Sequence, residues 1–243
     1  MNVSAVSPAS KQGADAGERP VTVCARLEDG CISFILNDRP WLLHRPMDLE
    51  SLWEDISDEE FNEDERLPYW VELWPASLAL ALWLEERKQD ISGRACLDLG
   101  CGLGFTAIVG MSCGARVLGL DYEEQALAYA RRNAGTNGLP SPVWAVMDWR
   151  RPAVARKSFD CIWGGDILYE SRFARPVYDF LDHALAPDGV FWIAEPGRGT
   201  YEHFMKLALD RGWRGRCVRK QKVEALHVQK HPVSINIWEL RRA

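Results

Sequence analysis

The stretch "CLDLGCGLGFTAI", residues 96–108, decides how the chain is read. An apolar run closes on Asp98. Gly100, Gly102 and Gly104 then follow at alternate positions before apolar residues resume. A short apolar run ending in turn residues is the pattern of a strand buried on both faces, as in parallel sheets. Glycine permits positive φ and lets another group touch the backbone. Ligands of open α/β sheets collect at the carboxyl ends of strands. The turn therefore reads as a ligand-facing junction between a strand and a helix. Its spacing is D-x-G-x-G-x-G. Phe105 stands where a dinucleotide fingerprint has its third glycine, and no Gly-Lys-Ser/Thr follows as a P-loop requires. The spacing favours a ligand without a pyrophosphate.

Working outward, strand-like and helix-like segments alternate. The strand candidates are residues 95–99, 116–120, 143–147, 159–163 and 190–194. The helix candidates are 76–88, with Pro75 at its start, 106–113, 123–134, 171–185 and 201–211. Short apolar strands separated by helices of this length predict an α/β, Rossmann-like sheet, mostly parallel and covered by helices on both faces. Near the C-terminus, "RGRCVRKQKVEALHV" and "SINIWELRR" predict an antiparallel hairpin at one edge. Ahead of the sheet, "VTVCARLEDGCISFILNDRPWLLHRP" alternates loosely, with turn signals at Asp29-Gly30 and Asn37-Asp38, and predicts a small β extension of two or three strands.

Two further strand ends carry acids. "LGLDY" places Asp121 seventeen residues after Gly104. A carboxylate there can accept both hydroxyls of a ribose, and Tyr122 can lie against a purine. "VMDWR" places Asp148 where it can accept from an exocyclic amino group, with Trp149 as a second flat wall. Three strand ends thus offer parts suited to a nucleoside.

This ordered set resembles the class I, seven-β-strand, S-adenosylmethionine-dependent methyltransferases over roughly residues 70–243: "LDLGCGLG" as the glycine motif, "GLDY" as the ribose acid, "MDW" as the adenine acid. The resemblance implies S-adenosyl-L-methionine as cofactor, with Asp98 and the three glycines holding its methionine part, Asp121 the ribose and Asp148 the adenine. Each acid has an alternative reading: Asp121 and Asp148 as solvated or capping residues at their strand ends, and Asp98 as a residue that ties down the glycine turn itself. Domain limits follow: a disordered tail over 1–20, the β extension and an acidic segment over 21–68, and the methyltransferase domain over 69–243.

"YWVELWPASLALALWL" before the first strand, "WGGDILYE" after the fourth and "AEPGRG" after the fifth are similar to elements of the lysine methyltransferase-like branch of that family. The resemblance implies an acceptor site at Asp166 and Tyr169, with Trp74 on the cofactor side. Asp166 can orient an ammonium, and Tyr169 can supply a second acceptor or a π-face. Surrounding Trp70, Trp74 and Trp163 would lower the amine's pKa by burial. Each position also has a plainer reading: Asp166 as a cap of the helix near Ser171, Tyr169 as packing at the sheet edge, Glu72 and Trp74 as loop packing. Glu195 is read either as a substrate contact or as a partner of Arg198. The expected function is N-methylation of a protein lysine. Methylation of a small-molecule amine, or a non-catalytic cofactor-binding role, are the alternatives.

Composition bounds the rest. Net charge is −6 over 243 residues, which argues against general binding of a phosphate backbone, so no nucleic-acid partner is expected. No run of about 18 apolar residues predicts a membrane span. The N-terminus lacks an apolar core of signal-peptide type. Seven cysteines without a CxxC pair read as reduced thiols of a cytoplasmic protein. Residues 48–65 hold ten acids and read as a solvated segment, or as a flap that guides a cationic substrate. His227 and His231 are spaced i, i+4, but Pro232 argues against a helix there, so no metal site is expected.

Overall fold

A computed structural model describes residues 25–28, 30–47, 68–224 and 231–243. The acidic segment 48–65 and His227 lie outside them. A three-stranded antiparallel sheet comes first: β1 (Arg26–Glu28), β2 (Cys31–Leu36) and β3 (Arg39–His44). A 3-10 turn at Tyr69–Val71 leads to α1 (Pro75–Glu86) and α2 (Lys88–Ile91). The alternation then runs β4 (Ala95–Leu99), α3 (Phe105–Ser112), β5 (Arg116–Asp121), α4 (Glu124–Thr136), β6 (Val143–Val146), β7 (Phe159–Gly165). A second 3-10 turn at Ser171–Phe173 precedes α5 (Ala174–Ala184), β8 (Leu185–Glu195), α6 (Gly199–Asp210), β9 (Trp213–Val223) and β10 (Val233–Arg242).

The large sheet has seven strands in the order β6-β5-β4-β7-β8-β10-β9. β10 runs antiparallel to both of its neighbours, and the other ladders are parallel. The Rossmann-like α/β reading and the antiparallel edge hairpin are both present. Chain order runs outward from β4 through β5 to β6, then returns to β7 on the other side of β4. The carboxyl ends of β4 and β7 therefore flank the switch point at which open α/β sheets bind ligands.

The central strands explain themselves. Leu97 and Leu99 of β4 face a core shared with α5 and α6, while Cys96 faces one shared with α1 and α3. Burial on both faces selects the continuous apolar run. α1 follows the same rule. It buries Leu78, Ala79, Leu80, Ala81, Trp83 and Leu84, and Pro75 sits in its first turn, where no backbone donor is needed. The predicted helix over 76–88 is broken at Arg87, the junction of α1 and α2. The predicted strand over 190–194 is extended at both ends, to Leu185–Glu195, because its apolar reading missed the pairing of Leu185 with Phe159.

The small sheet is bolted to the large one. Phe34 and Trp41 meet the ring of Phe105 edge-on, with centroids 5.3 and 4.9 Å away. Asn133, fully buried in α4, donates to the carbonyls of His44 and Leu103 and accepts from His44 N at 2.6 Å. Asn137 makes the same paired contact with Leu42. These amides stand in for a missing strand along the backbone of β3.

Candidate functional site

The glycine turn after β4 forms the floor of a cavity of about 280 Å³. Cys101 N donates to Leu120 O at 2.9 Å, which binds the turn to β5. Asp121, at the end of β5, accepts from Gly102 N at 2.7 Å and from Glu123 N at 3.1 Å. One carboxylate therefore joins two neighbouring turns and also lines the cavity. Burial pushes its pKa up, and the N–H groups of Glu123, Gly102 and Tyr122 hold it back.

The glycines differ in what they require. Gly100 and Gly102 line the cavity. Gly104 does not. It caps α3 at φ 82°, and a Cβ there would lie 2.7 Å from Ala130 Cβ and 2.8 Å from the Trp144 ring. Close packing of α4 and β6 excludes its side chain, rather than anything in the cavity.

Asp98 lies beneath the floor. It is 1% exposed, takes no part in the wall, and accepts from Thr106 Oγ1 at 2.5 Å across the first turn of α3. This position matches the reading in which Asp98 ties down the turn. Burial raises its pKa to about 7. Thr106 and Trp163 oppose the shift, and the nearby charge of Asp121 adds to it. Trp163 is its neighbour across the β4–β7 ladder, yet Trp163 Nε1 and Asp98 Oδ1 both stay outside hydrogen-bond geometry.

Aromatic rings close one side. Trp74, the residue before α1, donates from Nε1 to Tyr69 O at 2.9 Å. Tyr69 meets Tyr169 at 4.8 Å, Tyr169 meets Phe173 at 5.1 Å, and Phe173 meets Trp149 at 5.4 Å. Burial pushes the Tyr169 phenol above its ordinary range, so it stays protonated. Trp70 also lines the cavity, with its ring against Tyr129. Trp163 is the exception among the expected wall residues. It is fully buried in the core beside Gly110, because β7 turns it away from the cleft. Tyr69 and Phe173 had no signal in sequence beyond being aromatic residues near a motif.

Tyr122, Asp148, Trp149 and Arg150 are brought together in the same wall. Asp148 accepts from Arg150 N at 2.8 Å and pairs with its guanidinium Nε at 2.8 Å. Glu72 also lines the cavity and is ion-paired with Arg45, linking the small sheet to the cleft.

Asp166 follows β7 directly and has a φ of 54°, in the left-handed region. Its N–H donates to Ala194 O at 2.8 Å. Its carboxylate receives Arg198 Nε at 3.1 Å and Nη2 at 2.9 Å. The Asp166 side chain is 10% exposed and that of Arg198 is 43% exposed. Burial raises the Asp166 pKa, Arg198 opposes this, and Glu195 reinforces it. The expected alternative of a helix cap does not hold: the 3-10 turn at Ser171 is preceded by Glu170. Both readings of Glu195 are corrected as well. It is 3% exposed and accepts from Asn236 Nδ2 at 2.8 Å, Trp238 Nε1 at 3.1 Å and the N–H of Gly197. It neither reaches the cavity nor pairs with Arg198. It anchors the turn that carries Arg198.

Among the described residues, no group of three or more His, Cys, Asp or Glu is placed to hold a metal. Burial pushes the Cys101 thiol well up, which keeps it protonated within the turn. No helix among the described residues is long and apolar enough to cross a membrane.

The donor set fits an adenosyl sulfonium. One wall carboxylate has free lone pairs, flat rings flank it, and glycine backbone lies open between them. Comparison with known proteins agrees. Residues 96–189 match a family described as a methyltransferase domain. Electron transfer flavoprotein beta subunit lysine methyltransferase of Danio rerio is 32% identical over 147 residues, 59% of this chain and 56% of that protein. Ribosomal protein L11 methyltransferase of Vibrio campbellii is 32% identical over 126 residues, 47% of this chain and 42% of that protein. The chain thus spans about half the length of the curated relatives it matches. Two solved structures show the shared fold. A ribosomal protein L11 methylase from Lactobacillus delbrueckii subsp. bulgaricus has a TM-score of 0.53 at 20% identity, covering 69% of this chain and 79% of its own. Precorrin-6y C5,15-methyltransferase from Geobacter metallireducens has 0.56 at 13%, covering 68% and 89%.

Proposed function

We propose that this chain is a class I S-adenosylmethionine-dependent methyltransferase and that it transfers a methyl group to the side-chain nitrogen of a protein lysine. One observation carries this reading. Asp166, a carboxylate held in a left-handed turn, stands at the switch point across from the glycine floor and beside a chain of aromatic rings. The relatives named for lysine methylation support the same acceptor.

S-adenosylmethionine supplies an electrophilic methyl on a sulfonium when bound. This chain's residues do the rest. Asp121 would accept the ribose hydroxyls with the lone pairs that Gly102 and Glu123 leave free. Tyr122 and Trp149 would offer ring faces to the base, and Asp148 would accept from its amino group. Gly100 and Gly102 let the methionine part approach, while Asp98 holds that turn from below and Gly104 holds it against α4. Trp74 closes the wall next to α1. Asp166 orients the incoming nitrogen, and Tyr169 presents a ring face to the developing cation. Holding the nitrogen in line with the methyl, with water excluded, is the main source of acceleration. Residues 69–243 form the transferring unit, and the small sheet braces α3 and α4 behind it.

The test uses methyl-labelled S-adenosylmethionine and a cell lysate, followed by peptide sequencing for methyl-lysine. Purified electron transfer flavoprotein beta subunit and ribosomal protein L11 are offered as separate acceptors. Label in protein lysine is expected. Label confined to low-mass material would replace the protein acceptor with a small amine. No transfer to either fraction would leave only cofactor binding.

A further inference from the structure

The carboxylate that faces the acceptor is already spoken for. Arg198 grips Asp166 through two hydrogen bonds. The grip is built by the fold at several points. Glu195 fixes the turn before Arg198 through Gly197 N, and is itself held by Asn236 and Trp238 of β10. Thr200 Oγ1 donates to Leu168 O, which ties the start of α6 to the loop of Asp166. Asp166 N is pinned to Ala194 O. Two loops 32 residues apart in sequence are thereby clamped with their charges in register.

A bare buried carboxylate would serve methyl transfer poorly. It would bind the acceptor as an ammonium and raise that ammonium's pKa, whereas only the neutral amine has the lone pair that attacks. A carboxylate already compensated by a guanidinium presents no net charge. It can still accept one hydrogen bond from a neutral amine. We propose that Arg198 is a positioning residue that neutralises Asp166 in advance, so that the acceptor docks as the free amine. The inference rests on the lysine reading above and deepens it. The ammonium gives its proton to bulk water at the cavity mouth. The amine lone pair forms the N–C bond as the C–S bond breaks, and the pair from that bond returns to sulfur. The product leaves as a methylated ammonium.

Among the described residues, the groups that face this pair are few. Glu195 lies behind it at the end of β8, Tyr69 approaches Arg198 from the segment before α1, and Tyr169 lies on the same loop as Asp166. Ser77, in the first turn of α1, abuts Gly165. Glu195 repels a charge on Asp166 and burial keeps the Tyr169 phenol protonated, so Arg198 is the compensating cation in this set.

The experiment needs no turnover for its first arm. The full chain, Arg198→Ala, Arg198→Lys and Arg198→Ala/Asp166→Asn are titrated with n-butylammonium chloride at pH 7 by NMR. Arg198→Ala is expected to bind the cation roughly tenfold tighter, the order of one charge-assisted hydrogen bond. Arg198→Lys should behave as wild type, and the double variant should lose the gain. Equal binding by wild type and Arg198→Ala, or a gain that survives in the double variant, overturns the proposal. The second arm is the pH profile of label transfer to protein lysine. Its acidic limb should move up by about one pH unit in Arg198→Ala and return in Arg198→Lys. An unmoved limb also overturns the proposal. Failure of wild type to label any lysine would sink the lysine reading alone, and the ammonium titration would still decide the role of Arg198.

Discussion

The two turns that flank the switch point reach the same cleft by opposite means. The turn after β4 is local. Its glycines, Asp98 and the Thr106 it grips lie within nine positions of one another, and its link to Asp121 uses backbone N–H groups. The turn after β7 is assembled at a distance. Asp166 owes its ion pair to Arg198, and Arg198 owes its place to Glu195, Asn236 and Trp238 on β8 and β10. A locally built site is robust to change elsewhere, whereas one clamped from a distance can be retuned by a residue that never touches the cofactor.

The sharpest way to break this contrast is Gly104→Val. A Cβ in a left-handed residue, 2.7 Å from Ala130, combines backbone strain with overpacking, and the expected cost is roughly 3–5 kcal/mol. A fall of several degrees or more in thermal midpoint checks it. A melt within a degree of wild type would show that α4 yields.

Next is Asp166→Ala, which removes only the distant site. Turnover should drop by about 100-fold or more while cofactor affinity by calorimetry stays within about twofold. Loss of both together would mean that the two turns are one unit. The reciprocal change, Asp121→Asn, should weaken cofactor binding by roughly 10- to 100-fold and spare the Asp166–Arg198 pair. Unchanged affinity would remove Asp121 from the cofactor site.

Smaller again is the pH dependence of the local turn. Folded Asp98 keeps its proton up to about pH 7, while an unfolded chain releases it near pH 4. The folded state therefore binds the extra proton between those values. Stability falls as pH rises through that window and levels off above it. Urea denaturation at pH 5 and pH 8 should show wild type losing about 1–3 kcal/mol more than Asp98→Asn. Equal losses would show that the Asp98 carboxyl is ordinary in the fold.

Legibility follows the same division. Gly100, Gly102, Asp121, Tyr122, Trp149 and Trp74 were readable as the lining of one cleft because each belongs to a short motif at a strand or helix end, and strand ends of an open sheet converge. Asp166 and Tyr169 were readable as positions but not in their state: nothing near "GGDILYE" announces that Arg198 engages the acid. Trp163 was misread because alternation along β7 sends it into the core. Gly104 was read as facing a ligand, and only the approach of Ala130 and Trp144 shows why it has no side chain.

The sequence by itself determined the alternation of strands and helices, the edge hairpin and the acids at three strand ends. Apolar periodicity and turn chemistry are local properties written in neighbouring residues. Only the tertiary structure decided which side chains meet across the cleft, which charges cancel, and that Asn133 and Asn137 dock the small sheet on α4. Those outcomes depend on distances between segments far apart in the chain, set by the packing of the whole sheet rather than by any stretch of it.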